Sequence, residues 1–411
     1  MNIIDLFSGG GGLTEGFKQQ SYNILCHVEM EKDACDTLKT REAYYYLKNN
    51  NKLPIYESYL AGNISKEEFY GYIPSEHLSK VLNYKISQNE LPNIIDNINR
   101  LVGKTKIDGI IGGPPCQAYS TIGRARNDRK KEKDERIYLY KYYSKFLEEY
   151  NPKFFVFENV KGLLSYKDIY KERLLPKIIK EFQSKGYDVN HKLLNSADYG
   201  VPQKRERLFI FGIKNNLHKK ANTFFESLLF YREESISIKD LFFDLPIMSA
   251  GETKNEYSEK KPVPFVKNNL RCSNEYLSQN ISRPNNNRDK TIYRLVVKAK
   301  DSGKTIKYNE LPTSLKTHKN EKHFLDRFKC LNENEQSHTL VAHISKDGHY
   351  YIHPDLTQNR SITVREAARI QMFPDDYHFE NSRTSAFKQI GNAVPVYLSS
   401  KIARTIKEIL K

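Results

Sequence analysis

The opening of this chain constrains its fold more tightly than any later stretch. Asn2-Ile3-Ile4-Asp5-Leu6-Phe7 is a short apolar run, and Ser8-Gly9-Gly10-Gly11-Gly12 must turn tightly. Residues 13–20 then carry helical spacing, and 22–28 form a second apolar run that ends at Glu29. Strand, glycine turn, helix and strand make the first βαβ unit of a doubly wound sheet. The glycines let the backbone come close to a ligand at the helix N-terminus. Glu29 stands at the strand tip, where an acid commonly takes the two ribose hydroxyls of an adenosine cofactor. Turn and acid together point to a nucleoside cofactor and leave NAD and S-adenosylmethionine both open. A glycine turn that serves packing alone is the plainer reading.

Further apolar runs at 107–111, 154–157 and 207–213 predict more buried parallel strands, with helices over 137–149 and 170–185 between them. From Asp33 to Lys106 the pattern is helical and rich in Lys, Glu, Asn and Tyr, which predicts a helical insert at about 39–105. The alternation fades after Lys214. The expected architecture is therefore an α/β, Rossmann-like catalytic domain over 1–214 with a mostly parallel doubly wound sheet. A smaller irregular domain occupies 215–358, and 359–411 returns to the first domain, ending in a helix over 402–410.

Composition narrows the function classes. No run approaches the ~18 apolar residues that span a bilayer, and no basic-then-apolar leader precedes the first motif, so membrane and secreted classes are set aside. The 21 Phe and 28 Tyr are too many aromatics for a disordered chain, despite a mean hydropathy of -0.69. Five cysteines without a C-x-x-C pair fit a reducing cytosol better than a disulfide scaffold. Lys and Arg total 66 against 50 acids, a formal charge of +16, which favours a polyanionic partner. An inert basic surface is the alternative.

Three later constellations carry chemistry. Gly112-Gly113-Pro114-Pro115-Cys116-Gln117 follows a predicted strand, so Cys116 falls at the carboxyl edge of the sheet, where doubly wound folds bind ligands. Basic residues from Arg124 to Lys133 follow and suit a depressed thiol pKa. Against this stands the usual fate of a free cysteine, burial as an inert apolar group. Glu158-Asn159-Val160 ends another strand, which aims a carboxylate at the same crevice for hydrogen bonding or protonation of a ring nitrogen. An acid merely facing a helix dipole is the plain reading there. In Gln203-Lys204-Arg205-Glu206-Arg207, alternation puts Gln203, Arg205 and Arg207 on one face, where paired arginines suit a phosphate or a polarised carbonyl.

Taken in order, residues 5–17, 113–120, 157–160, 197–207 and 389–395 resemble the ordered motifs of the cytosine carbon-5 DNA methyltransferases. Residues 365–374, Arg-Glu-Ala-Ala-Arg-Ile-Gln-Met-Phe-Pro, resemble the family's penultimate motif. The resemblance implies a sequence-specific enzyme in which Cys116 attacks carbon 6 of a flipped-out cytosine. Glu158 would bond ring nitrogen 3 and the exocyclic amine, and Arg205 would hold the carbonyl oxygen. Carbon 5 would then take a methyl group from S-adenosyl-L-methionine, leaving S-adenosyl-L-homocysteine. It further implies that Phe7, Ser8, Gly9, Gly11, Gly12, Glu29, Met30, Pro115, Leu139, Asn392 and Val394 form the cofactor pocket. The DNA side would be served by Gln117, Arg124, Arg126, Gln203, Arg207, Thr339 and Arg365, the last also tying the two domains together. Residues 117–133 match the family's mobile catalytic loop, and 215–358 its target-recognition domain.

One departure stands out. The family usually carries an acid followed by Ile that meets the adenine amine. The nearest match here is Gly62-Asn63-Ile64, so Asn63 and Ile64 are the candidates, with Asp96 the poorer one. The resemblance also implies double-stranded DNA as partner, a companion restriction endonuclease, and a monomer acting in the cytoplasm. The first motif begins at Asp5, which is expected of a stand-alone, prokaryotic type without a regulatory domain ahead of it. A methyltransferase for RNA, a catalytically silent DNA-binding relative and an NAD-dependent dehydrogenase are the competing readings; the last leaves Cys116 unexplained. His318, His323, His338, His343, His349 and His353 lie near Cys330 in the second domain, but no metal-type spacing joins them, and no metal is expected.

Overall fold

The chain leaves β1 (Asn2–Leu6) through the glycine turn, enters helix α1 (Gly12–Gln19) and returns in β2 (Asn23–Glu29), parallel to β1. The computed structural model describes residues 1–115, 119, 134–271, 277–317, 320–323 and 325–411. After helix α2 (Lys32–Asn49) and the insert come β3 (Val81–Asn83), β4 (Gly109–Gly112), β5 (Phe154–Val160), β6 (Tyr187–Asn195), β7 (Gln203–Lys204) and β8 (Glu206–Lys214). The main sheet has the order β3-β2-β1-β4-β5-β8-β6. Only β8 runs antiparallel, to both β5 and β6. The α/β, Rossmann-like class read from the sequence is the architecture of this molecule.

Two strands of the main sheet were not expected. β3 is three residues long inside a helical-looking stretch, too short for a periodicity to register. β6 is the sheet edge and is half exposed, so it lacks the continuous apolar run of a buried strand. The helix expected over 170–185 starts later, at Leu174–Ser184. Asp168 holds the backbone N–H groups of Tyr170 and Glu172 and the Lys177 ammonium, which makes 168–172 a turn.

The insert packs as short helices, Leu53–Leu60, Lys66–Gly71 and Ser75–Leu78, against α2 around Tyr44, Tyr56 and Phe69. It also grips the C-terminal part of the chain. Tyr56 donates to the Asp376 carbonyl at 2.6 Å, and the Glu380 carboxylate accepts from Thr40 and from Tyr59.

Beyond β8, the helix Ala221–Leu228 lies on the sheet, with Phe224 stacked on Phe211 at 4.2 Å. A separate small core surrounds the helix Asn287–Asp301. The two-residue strand β9 (Ser337–His338) pairs parallel with β7 in a separate two-stranded sheet and joins this later region to the segment just ahead of β8. The chain finally returns through helices Val364–Ile370, Arg383–Asn392 and Val396–Ile409. The last begins after Pro395, earlier than apolar spacing predicts, and packs along α1, where Ser399 donates to the Leu13 carbonyl at 2.6 Å.

Candidate active site

The carboxyl ends of β1, β2, β4 and β5 open into one cavity of about 630 Å³, within the range that small-molecule sites occupy. Its nucleoside end is built by the glycine turn and Glu29. The Glu29 carboxylate accepts the Gly9 N–H at 2.8 Å on one oxygen, and the Met30 and Glu31 N–H groups, each at 2.8 Å, on the other. Burial raises its pKa while these backbone donors pull it down. Phe7 sits at φ 57, held there by its N–H to the Val28 carbonyl at 2.8 Å, and it lines the cavity with Ser8, Gly9 and Gly12. Gly12 cannot carry a side chain. A Cβ there would lie 2.2 Å from the Val394 carbonyl oxygen, so the turn and residues 393–394 touch through backbone. Met30, Pro115, Leu139, Asn392 and Val394 complete this wall.

Beneath the turn lies Asp5, which sequence reading passed over as part of a strand. It is fully buried, lines the cavity, accepts from the Thr14 hydroxyl and stands 3.9 Å from His27. Burial pushes its pKa up to about 6, against the opposing pull of His27 and of the Thr14 and Ser8 hydrogen bonds.

At the other end, β5 delivers Glu158. Its carboxylate meets the Arg207 Nε at 3.1 Å. Burial raises the Glu158 pKa, and Arg207 and then Arg205 oppose the rise. Arg205 lines the same cavity from a fully buried position, its guanidinium donating to the Leu340 and Gly391 carbonyls. Asn159, the next residue of β5, donates to the Pro114 carbonyl at 3.2 Å and so ties the segment entering Cys116 to the strand that carries Glu158. Cys116, Gln117, Arg124 and Arg126 lie outside the described residues, as do Cys272 and His318. Among the described residues, the cavity lining includes Pro115, the residue that precedes Cys116 in the chain.

The structure therefore brings Glu158, Arg205 and Arg207 together with the turn residues, Glu29, Met30, Pro115, Leu139, Asn392 and Val394. It corrects four expectations. Asn63 and Ile64 fall in the turn between two insert helices and do not line the cavity; Lys85 and Ile86, just after β3, do. Recognising β3 as a strand would have found them, since ligand residues follow strand ends. Gly11, at φ 78, faces away toward Tyr377, whose hydroxyl a Cβ there would meet at 2.4 Å. Gln203 is fully buried rather than DNA-facing, because β7 turns it inward against Leu340 and Gln371. Arg365 is likewise fully buried and spends its guanidinium on Ser278, Pro374 and Tyr377, so it fastens segments and offers nothing to DNA. Thr339 is partly buried and donates to the Lys204 carbonyl at 2.6 Å.

Of the described histidines of the second region, His338, His349 and His353 serve packing, whereas His323 and His343 are exposed. His338 stacks on Tyr351 with centroids 5.0 Å apart, His349 bonds Tyr293, and His353 lies beside Glu366. Among the described residues no group of three His, Cys, Asp or Glu could hold a metal ion, and no helix is long and apolar enough to cross a membrane.

Against known proteins, the model of the C-5 cytosine-specific DNA methylases matches residues 1–60 and 75–408. Type II methyltransferase M.Bpa9945I of Bacillus paralicheniformis is 40% identical, with 100% of this chain and 99% of that protein covered. Type II methyltransferase M.DdeI of Desulfomicrobium norvegicum is 31% identical, over 99% and 88%. Among solved structures, a prophage-encoded protein of E. coli assigned as a DNA modification methyltransferase superposes with a TM-score of 0.64 at 22% identity, over 100% of this chain and 99% of that one. At that identity the likeness speaks for the fold.

Proposed function

The chain belongs to the C-5 cytosine-specific DNA methylase family and is a DNA (cytosine-5-)-methyltransferase, and on that footing we propose how its residues divide the work. The observation that carries the reading is the single cavity: a glycine turn and Glu29 stand at one end, and Glu158 between two arginines at the other.

S-adenosyl-L-methionine fits the first end. A buried acid braced by three backbone N–H groups suits the ribose hydroxyls, and Phe7, Met30, Ile86 and Leu139 offer an apolar bed for a purine. Gly9, Gly12, Asn392 and Val394 border the space left for the amino-acid portion. When bound, this cofactor supplies a methyl group on a positively charged sulfur.

At the second end the Cys116 thiolate adds to carbon 6 of the cytosine, and the ring electrons move to carbon 5. Glu158, whose burial favours the protonated form, donates its proton in a hydrogen bond to ring nitrogen 3 and accepts from the exocyclic amine with its other oxygen. That donation draws electrons out of the ring and makes carbon 6 the better electrophile. Arg205, held by the Leu340 and Gly391 carbonyls and lining the cavity, places its guanidinium charge toward the carbonyl oxygen of the base. Once carbon 5 is methylated, its proton passes to a water, the electrons of that C–H bond re-form the 5,6 double bond, and the carbon 6–sulfur bond breaks to release Cys116 as the thiolate. The ring is unreachable in a stacked duplex, so the base is flipped out, at a cost of roughly a few kcal/mol.

Residues 1–214 and 359–411 act as the catalytic part and 215–358 as the part that reads the target, with Arg207 and Thr339 on the DNA side. The relatives' designation as type II methyltransferases supports a role protecting DNA from a companion restriction endonuclease. We read the enzyme as a monomer on duplex DNA in the cytoplasm. Radiolabel transfer from S-adenosyl-L-methionine into DNA tests the chemistry. Cys116→Ala should abolish transfer while keeping DNA affinity within a few-fold, and retained transfer would remove Cys116 as the nucleophile.

A further inference from the structure

A chain of hydrogen bonds behind Arg205 joins the DNA-side segment to the cofactor wall without entering either site. Gln203 accepts the Leu340 N–H at 2.7 Å and donates to the Gln371 side-chain oxygen at 3.0 Å. Gln371 donates in turn to the Ile390 carbonyl at 2.8 Å and the Ala393 carbonyl at 3.3 Å. Its own carbonyl accepts the Val396 N–H at 3.1 Å. Both glutamines are fully buried, and neither lines the cavity. Ala393 does, together with its neighbours Asn392 and Val394.

The two segments also meet directly. A Cβ on Gly391 would stand 2.5 Å from the Ala342 nitrogen, so only a glycine allows this approach. Buried amides that use both ends fix register, since a shift by one peptide would set donor against donor and leave polar groups unpaired. The position of 390–394 is thereby tied to that of Leu340.

We propose that Gln203 and Gln371 are positioning residues that hold Asn392, Ala393 and Val394 at the height the cofactor requires, so that cofactor affinity depends on a hydrogen bond made at Leu340. The inference rests on the cofactor reading above and goes beyond it, because Gln203 touches neither the cofactor space nor the base.

The test is calorimetric binding of S-adenosyl-L-homocysteine to the full chain without DNA, with the thermal midpoint recorded beside it. The proteins are wild type, Gln203→Met, Gln371→Met and the double variant. Each single variant should weaken binding by about five- to tenfold, and the double by no more than the worse single, since members of one network do not add. A lowered midpoint with an affinity within twofold of wild type would mark a structural role only and overturn the proposal. So would single effects that multiply in the double variant. Should the Met variants fail to fold, Gln203→Glu and Gln371→Glu keep the acceptor oxygen and lose the amide donor, and the same criteria apply. A wild type that does not bind S-adenosyl-L-homocysteine would sink the cofactor reading together with this one, whereas unchanged variants beside a binding wild type sink this one alone.

Discussion

At the residue scale, the buried Asp5 makes stability, and the largely buried Glu158 the proposed chemistry, sensitive to pH. Asp5 carries a folded-state pKa of about 6 against an ordinary 3.8, so the folded chain keeps a proton there that the unfolded chain gives up. Stability must therefore fall as pH rises through that window, by about 3 kcal/mol from this group. Asp5→Asn should flatten the wild-type slope between pH 4 and 6 in urea melts, and an identical slope would contradict it. Glu158 follows the same direction, and its protonated form is the one proposed to act. The kcat/KM should thus decline as pH climbs through its raised pKa. Arg207→Met removes the first of the two opposing charges, which should move the declining limb to higher pH; a limb that stays put or moves lower would exclude Glu158 as its source. Both acids sit inside legible motifs. Glu158 could be singled out because a strand end displays it, whereas Asp5 could not, because a strand position does not say whether the carboxylate points to the core or to a ligand.

At the element scale, local pattern exposed the βαβ opening, the Gly113–Pro115 approach and the run from Gln203 to Arg207, since turn glycines, prolines and alternation are local signals. Adjacency between distant segments was not legible. Nothing in Asn63 shows that it misses the cavity, and nothing in Lys85 and Ile86 shows that they reach it, because that depends on where a three-residue strand pairs. Gln203 and Arg365 were misplaced for a related reason: a polar side chain suggests a surface until its buried partners on 278 and 371–377 are known. The insert is the clearest case, since Thr40, Tyr59 and Lys66 converge on Glu380 more than 300 residues away. Glu380 is buried, whereas Lys66 is partly exposed. Glu380→Ala should cost about 2–3 kcal/mol in urea melts by stranding buried donors, and Lys66→Ala under about 1 kcal/mol. Equal costs would show that the insert is not anchored through this carboxylate.

At the scale of the whole molecule, the proposed reaction on a polyanion would draw on a formal charge of +16 and on a cavity shared by a nucleoside-type rim and an acid beside arginines. Much of what unites them is buried polar bonding. Arg369 alone joins Asp244 to Asp375 from a fully buried position, which holds the segment after β8 against the returning C-terminal part. The most direct measurement is bisulfite sequencing of plasmid DNA from a methylation-deficient host that expresses this chain. The account predicts protected cytosines at one recurring short site, and none when the host expresses Cys116→Ala. Unprotected DNA from a host that makes soluble, folded wild-type protein would contradict it.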